Sequence, residues 1–195
     1  MTAPATPEAA AAPAPQTPQE WAKVAGLGEP AKAAATTAES PRALVATLTE
    51  QGMHADAVRL LAHLLPKREA VWWAWSCAKA AAGQTPTPEI VASLAATEQW
   101  ITQPTDEHRR AAMDAANDAD LATPAGLAGL AAFFSDGSVA PPEAPVTPPG
   151  PFLAAKAVSG AVILATVAGG GSASWHRAFL DLGVRVGQNA GLWPA

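Results

Sequence analysis

Four histidines, one cysteine and one compact charge cluster are the side chains of this chain most suited to chemistry. His54, His63, His108 and His176 could ligate a metal or carry protons. A helical metal set needs two histidines four residues apart with an acid to complete it, and no pair here has that spacing. Cys77 has no histidine beside it in sequence to raise its thiolate fraction, and it reads as a small buried apolar residue. The serines lack a Gly-x-Ser-x-Gly turn, and the paired acids Asp106-Glu107 and Asp118/Asp120 read as helix-start and surface charges. Gly169-Gly170-Gly171 after an apolar run superficially suggests a phosphate loop. Its glycines are contiguous, however, and no Lys-Ser/Thr pair follows. No catalytic set, metal site or cofactor is assigned on these grounds.

The cluster that remains is Lys67-Arg68-Glu69, just ahead of Trp72, Trp73 and Trp75. Lys67, Arg68, Glu69 and Trp73 are the candidate partner-binding residues, a charged rim for an acidic partner. Two other readings stand beside it. One is an internal ion-pair network in which Glu69 meets a cation from another helix. The other is a solvated first turn whose arginine stem lies along Trp72. Two cations in a first turn oppose the positive end of the helix dipole, by a few tenths of a kcal/mol, so their presence asks for a reason.

The element that positions this cluster is a helix opened by Pro66 and stopped by Gly83. At about 100° per residue, Val71, Trp75, Ala78 and Ala82 share one stripe. Trp72 lies roughly 60° from Trp75, and Trp73 points nearly opposite, one turn above Glu69. Large rings around more than half the circumference place this helix centrally, with Trp75 as a core side chain.

The flanking elements follow from caps and breakers. Pro18 to Val24 and Glu29 to Thr37 are short helices separated by Gly26 and Gly28. Ser40-Pro41 opens a helix to Gly52, and His54 to Leu65 forms the next, paired with the tryptophan helix as a hairpin. Thr87-Pro88 opens a helix carrying Ile90, Leu94 and Trp100. Thr105 caps a polar helix in which Arg110 and Asp114 are spaced to pair. Pro124 to Phe134 follows. Phe152 to Ala168 and the helix from Ser172 form a last hairpin, whose second member has an apolar stripe of Trp175, Phe179, Leu182 and Val186 and a polar one of Arg177, Asp181 and Arg185. Trp193 is expected to tuck back onto it.

The fold class is therefore all-α, a compact multi-helix bundle of stacked antiparallel helical hairpins. Residues 1–18 read as a disordered Ala/Pro-rich tail and 19–195 as a single helical domain, with a proline-rich linker over 139–151. A net charge of -5 with no basic cluster argues against nucleic acid. One cysteine fits a reducing compartment, and the first residues lack the pattern of a secretory signal, so a cytoplasmic location is expected. The apolar run Ala157 to Ala168 is short of the roughly 20 residues a membrane span needs, and it reads as a buried core helix.

The chain resembles an uncharacterised bacterial family, a domain of unknown function. The resemblance is carried by Gly26–Ala31 and above all by Leu61–Ala74, with the run PKREAVWWA as its most specific part. It continues in Thr123–Gly126, the GSVAPP turn at Gly137–Pro142, Ala157–Val162 and Phe179–Gly183. Trp75 departs from the smaller or aliphatic residues of that pattern. The resemblance implies encoding among type VI secretion genes and hence an accessory or adaptor role. It brings no catalytic residues. The function expected is a non-enzymatic protein-binding accessory of such a system. The alternatives are a small-ligand binder or enzyme with a pocket beside the tryptophans, and a membrane-associated protein using Phe152 to Ala168.

Overall fold

The computed structural model describes residues 15–194 and places ten helices and no strand among them. They are α1 Pro18–Val24, α2 Glu29–Ala35, α3 Pro41–Glu50, α4 His54–Leu64, α5 Lys67–Ala81, α6 Pro88–Thr102, α7 Asp106–Asp118, α8 Pro124–Phe133, α9 Leu153–Ala168 and α10 Ala173–Asn189. Residues 1–14 of the expected tail lie outside the described residues. At its other end Thr17 and Pro18 already belong to the fold. The Thr17 hydroxyl accepts from the Glu20 N–H, the Glu20 carboxylate returns to the Thr17 N–H, and Pro18 is buried.

The helix starts follow their caps. Ser40 Oγ accepts from the Ala43 N–H at 3.1 Å, and Thr105 Oγ1 accepts from the His108 N–H at 3.2 Å. Thr87 begins α6 with no side-chain cap, so there the proline at the first helical position carries the start alone. Gly83 has a positive φ of 74° just past α5, the conformation the stop requires.

The tryptophan helix α5 lies centrally, packed by α9, α8, α6 and α10. One expected pairing differs. Leu65 and Pro66 are both extended, and they turn the chain so that α4 is not laid along α5. Instead α4 lies against α3, α9 and α10. Likewise α10 leans on α5 and α4 more than on α9, its expected partner. The consecutive pairs α6–α7, α7–α8 and α8–α9 do pack against each other, through short side chains such as Ala112, Ala116, Ala128, Ala131 and Ala161. The apolar α9 is buried by α5, α8 and α4, and among the described residues no helix is long and apolar enough to cross a membrane.

Candidate functional site

The tryptophan faces are reversed from the expectation. Trp73, not Trp75, is the core side chain. It is 0% exposed, and its indole N–H donates to the Phe179 carbonyl at 2.8 Å. Gly183 of α10 makes the room: a Cβ there would lie 2.7 Å from both the Trp73 ring and Leu61. Trp75 is half-buried, donates to the Leu94 carbonyl at 2.9 Å, and carries the Lys79 ammonium 4.5 Å from its ring centroid. Trp73 therefore cannot present itself to a partner. Trp72, 39% exposed, occupies the surface position instead.

The charged first turn of α5 has a structural use for two of its three members. The Lys67 ammonium donates to the Ser135 carbonyl at 2.8 Å, just beyond the end of α8. Arg68 donates through Nε to the Ile101 carbonyl at 2.6 Å and through Nη2 to the Thr102 carbonyl at 3.2 Å, in the last turn of α6. Each cation sits at the negative end of a neighbouring helix and satisfies carbonyls that no further turn can use. Their unfavourable position in their own helix is offset by two favourable ones. Both cations are exposed, with the Arg68 guanidinium anchored on α6 carbonyls at its head.

Glu69 is different. It forms no ion pair among the described residues, which sets aside the internal network. Half-buried, it lines a cleft of about 280 Å³ with Trp72 and with Val186, Asn189 and Ala190, the carbonyl end of α10. The Trp72 indole N–H has no protein acceptor among the described residues, unlike those of Trp73 and Trp75. The cleft thus combines an aromatic face, a carboxylate, a side-chain amide and a helix C-terminus.

Elsewhere, polar clusters hold the fold. Arg109, 2% exposed, donates to Asp106, to the Phe133 carbonyl at 2.8 Å and to the Ser138 carbonyl at 2.9 Å, with its guanidinium over the Phe133 ring. Arg110 pairs back to Asp106 at 2.8 Å rather than forward to Asp114, and also donates to the Ala140 carbonyl. Together they clamp the start of the proline-rich segment onto the end of α8. Both arginines hold the Asp106 carboxyl below the usual range.

Two of the four histidines meet and the other two stand apart. His54 stacks on His176 with centroids 4.8 Å apart, His63 packs against Phe152, and His108 bonds the Gln103 carbonyl. Burial lowers the pKa of His63, against an opposing hydrogen bond from its Nδ1 to the Arg59 carbonyl at 2.7 Å. Its Nε2, like the His54 Nδ1, is buried without a partner among the described residues. Burial also raises the Cys77 thiol far above its ordinary value, which leaves it unreactive. Among the described residues no three His, Cys, Asp or Glu side chains gather to hold a metal. A second groove, of about 410 Å³, runs between α3 and α10 over Val45 and Leu180, with Arg42, Glu50, Arg177 and Asp181 around it.

Fold and cleft together define an all-helical bundle with one exposed tryptophan beside a carboxylate at the end of α10, in a cleft whose other walls include Val186 and Ala190. The chain belongs to DUF6931, a family of unknown function, whose model matches residues 44–187. That match runs from α3 to the last turn of α10 and includes Lys67, Arg68, Glu69 and Trp72. Comparison with curated proteins and with solved structures gave no match in either case.

Proposed function

We propose that this protein is a non-enzymatic helical accessory that docks a protein partner at the Trp72–Glu69 cleft. The observation carrying this is Trp72: a 39% exposed indole whose N–H has no acceptor among the described residues, on a helix whose other two tryptophans donate to backbone carbonyls. Tryptophan at a surface notch is the residue type that most often anchors a protein interface, because it joins a large apolar area to one directional donor. The partner we propose is a component of a type VI secretion apparatus in the bacterial cytoplasm, on the strength of the PKREAVWWA resemblance. The test is affinity purification of the tagged full chain from its native host, beside a Trp72→Ala variant. Recovery of a secretion component by the parent, with at least about tenfold less by a variant that remains folded, supports the reading. Equal recovery by both, or recovery of no such component, overturns it.

A second reading is a small-ligand site, favoured by the α3–α10 groove. Its volume of about 410 Å³ falls within the range of roughly 300–1,000 Å³ for small-molecule pockets, whereas the tryptophan cleft lies just below it. The groove is ringed by charges of both signs, and a thermal-shift screen of nucleotides, metals and zwitterionic metabolites tests it. Stabilisation lost in Arg177→Ala would support this reading over the first.

A further inference from the structure

We infer that the Trp72–Glu69 cleft is a receptor for a cationic side chain, an arginine in preference to a lysine, on the docking partner. This rests on the docking reading above and goes beyond it by naming what the partner must present. The first turn of α5 touches the carbonyl ends of three helices. At the ends of α8 and α6 it supplies a cation, Lys67 and Arg68 respectively. At the end of α10 it supplies a carboxylate, Glu69.

Glu69 lies in the first turn of α5, where its own helix favours an acid, but it lines the same cleft as the carbonyl end of α10, so negative charge gathers there, unlike at the two neighbouring helix ends. No ion pair among the described residues neutralises that charge. Lys67 and Arg68 are already committed to other carbonyls. Arg185, one turn earlier on α10, is exposed and forms no ion pair with Glu69 among the described residues.

The remaining lining is mixed, with Val186 and Ala190 apolar beside Trp72 and Asn189, which suits the stem of a long side chain as well as its charged head. An indole attracts a cation to its face through its quadrupole, and Asn189 is an exposed polar residue at the rim. Aromatic face, carboxylate and helix C-terminus all favour one sign of guest. A guanidinium fits better than an ammonium, since its plane stacks on an indole while its fork donates in pairs to a carboxylate. The cleft holds a side chain and not a whole ligand, which suits one anchoring residue on a larger partner.

The test uses the full chain and three capped tripeptides, Gly-Arg-Gly, Gly-citrulline-Gly and Gly-Glu-Gly. The readout is the indole N–H resonance of Trp72, assigned by its loss in Trp72→Phe. The arginine peptide should shift that resonance saturably in the millimolar range, weakening about five- to tenfold in Glu69→Gln and in high salt. The citrulline peptide, which keeps shape and loses charge, should not shift it, nor should the glutamate peptide. Equal shifts from arginine and citrulline, an arginine response indifferent to Glu69→Gln, or no response up to about 20 mM would overturn the inference. The two readings fail separately. If Trp72→Ala abolishes partner recovery while the peptides show no charge preference, docking stands and the cationic guest falls. If the arginine peptide binds as described while Trp72→Ala leaves recovery intact, the cation receptor stands and the docking role falls.

Discussion

The ends of α6 and α8 and the end of α10 lie around the same turn of α5, yet they are treated oppositely. At α6 and α8, Arg68 and Lys67 donate to backbone carbonyls, and at α8 the buried Arg109 adds a second clamp through Phe133 and Ser138. At α10, Glu69 and the exposed Trp72 leave a cleft. Where charge and dipole agree the residues serve the fold. At the end of α10 the carboxylate that α5's own first turn favours has no ion pair among the described residues, and this is the opening the proposed guest would fill.

The largest effect expected is on the closed side. Trp73→Ala empties a fully buried site and strips a donor from the Phe179 carbonyl, so a loss of about 3–5 kcal/mol is expected in urea unfolding. Trp72→Ala, one residue earlier and 39% exposed, should cost clearly less, about 1 kcal/mol. Similar losses for the two would erase the contrast between core and cleft.

Arg109→Ala comes next. It leaves the Phe133 and Ser138 carbonyls without their donor and a void over the Phe133 ring, at about 2–4 kcal/mol. Limited proteolysis should then cut within residues 139–151 first. A variant as stable and as resistant as the parent would mean that the end of α8 needs no clamp.

Acidification sharpens the comparison from another side. His63 and His54 are both held below the usual imidazole range, chiefly by burial, with Lys156 near the first and His176 and Arg177 near the second. The folded protein keeps them neutral while the unfolded chain takes up protons. Their contribution is therefore complete above about pH 6.5 and is lost as pH falls below it, towards the depressed folded values. His63→Leu should flatten the urea-midpoint profile over that window without changing the effect of any Glu69 substitution. An unflattened profile would contradict the assignment. Asp106 titrates lower still and stays out of this range.

Much of the bundle was legible because local chemistry sets it. Ser40-Pro41, Thr105 and Gly83 act where their types predict, and Trp193 does fold back, donating to the Val184 carbonyl at 3.2 Å against a glycine-made gap at Gly187. The faces of α5 were not legible. A helix covered on several sides has no single apolar stripe, and Trp72 and Trp73 both fall within roughly 60° of Glu69. The choice between them is made by Gly183, more than a hundred residues away in the chain. The α4–α5 pairing failed for a related reason: the short connection is extended, and it turns the chain instead of folding it back. Arg110 faces Asp106 rather than Asp114 because Asp106 already gathers Arg109 and the Ser138 region, which spacing alone does not reveal. The roles of Lys67 and Arg68 were missed because their partners are backbone carbonyls, which leave no mark in a sequence.

The most direct measurement is the stability and partner recovery of Glu69→Lys, compared with Arg68→Glu, in the full chain. Glu69→Lys brings the end of α10 to the same sign as its neighbours. The gain at α10 is offset by a third cation in the first turn of α5, so stability should stay within about 0.5 kcal/mol, while partner recovery and the Trp72 response to the arginine peptide are lost. Arg68→Glu should destabilise by about 1 kcal/mol or more, since it sets a carboxylate against the Ile101 and Thr102 carbonyls. A Glu69→Lys protein destabilised as much as Arg68→Glu, or one still recovering its partner at the parent level, would contradict the division between closed and open helix ends.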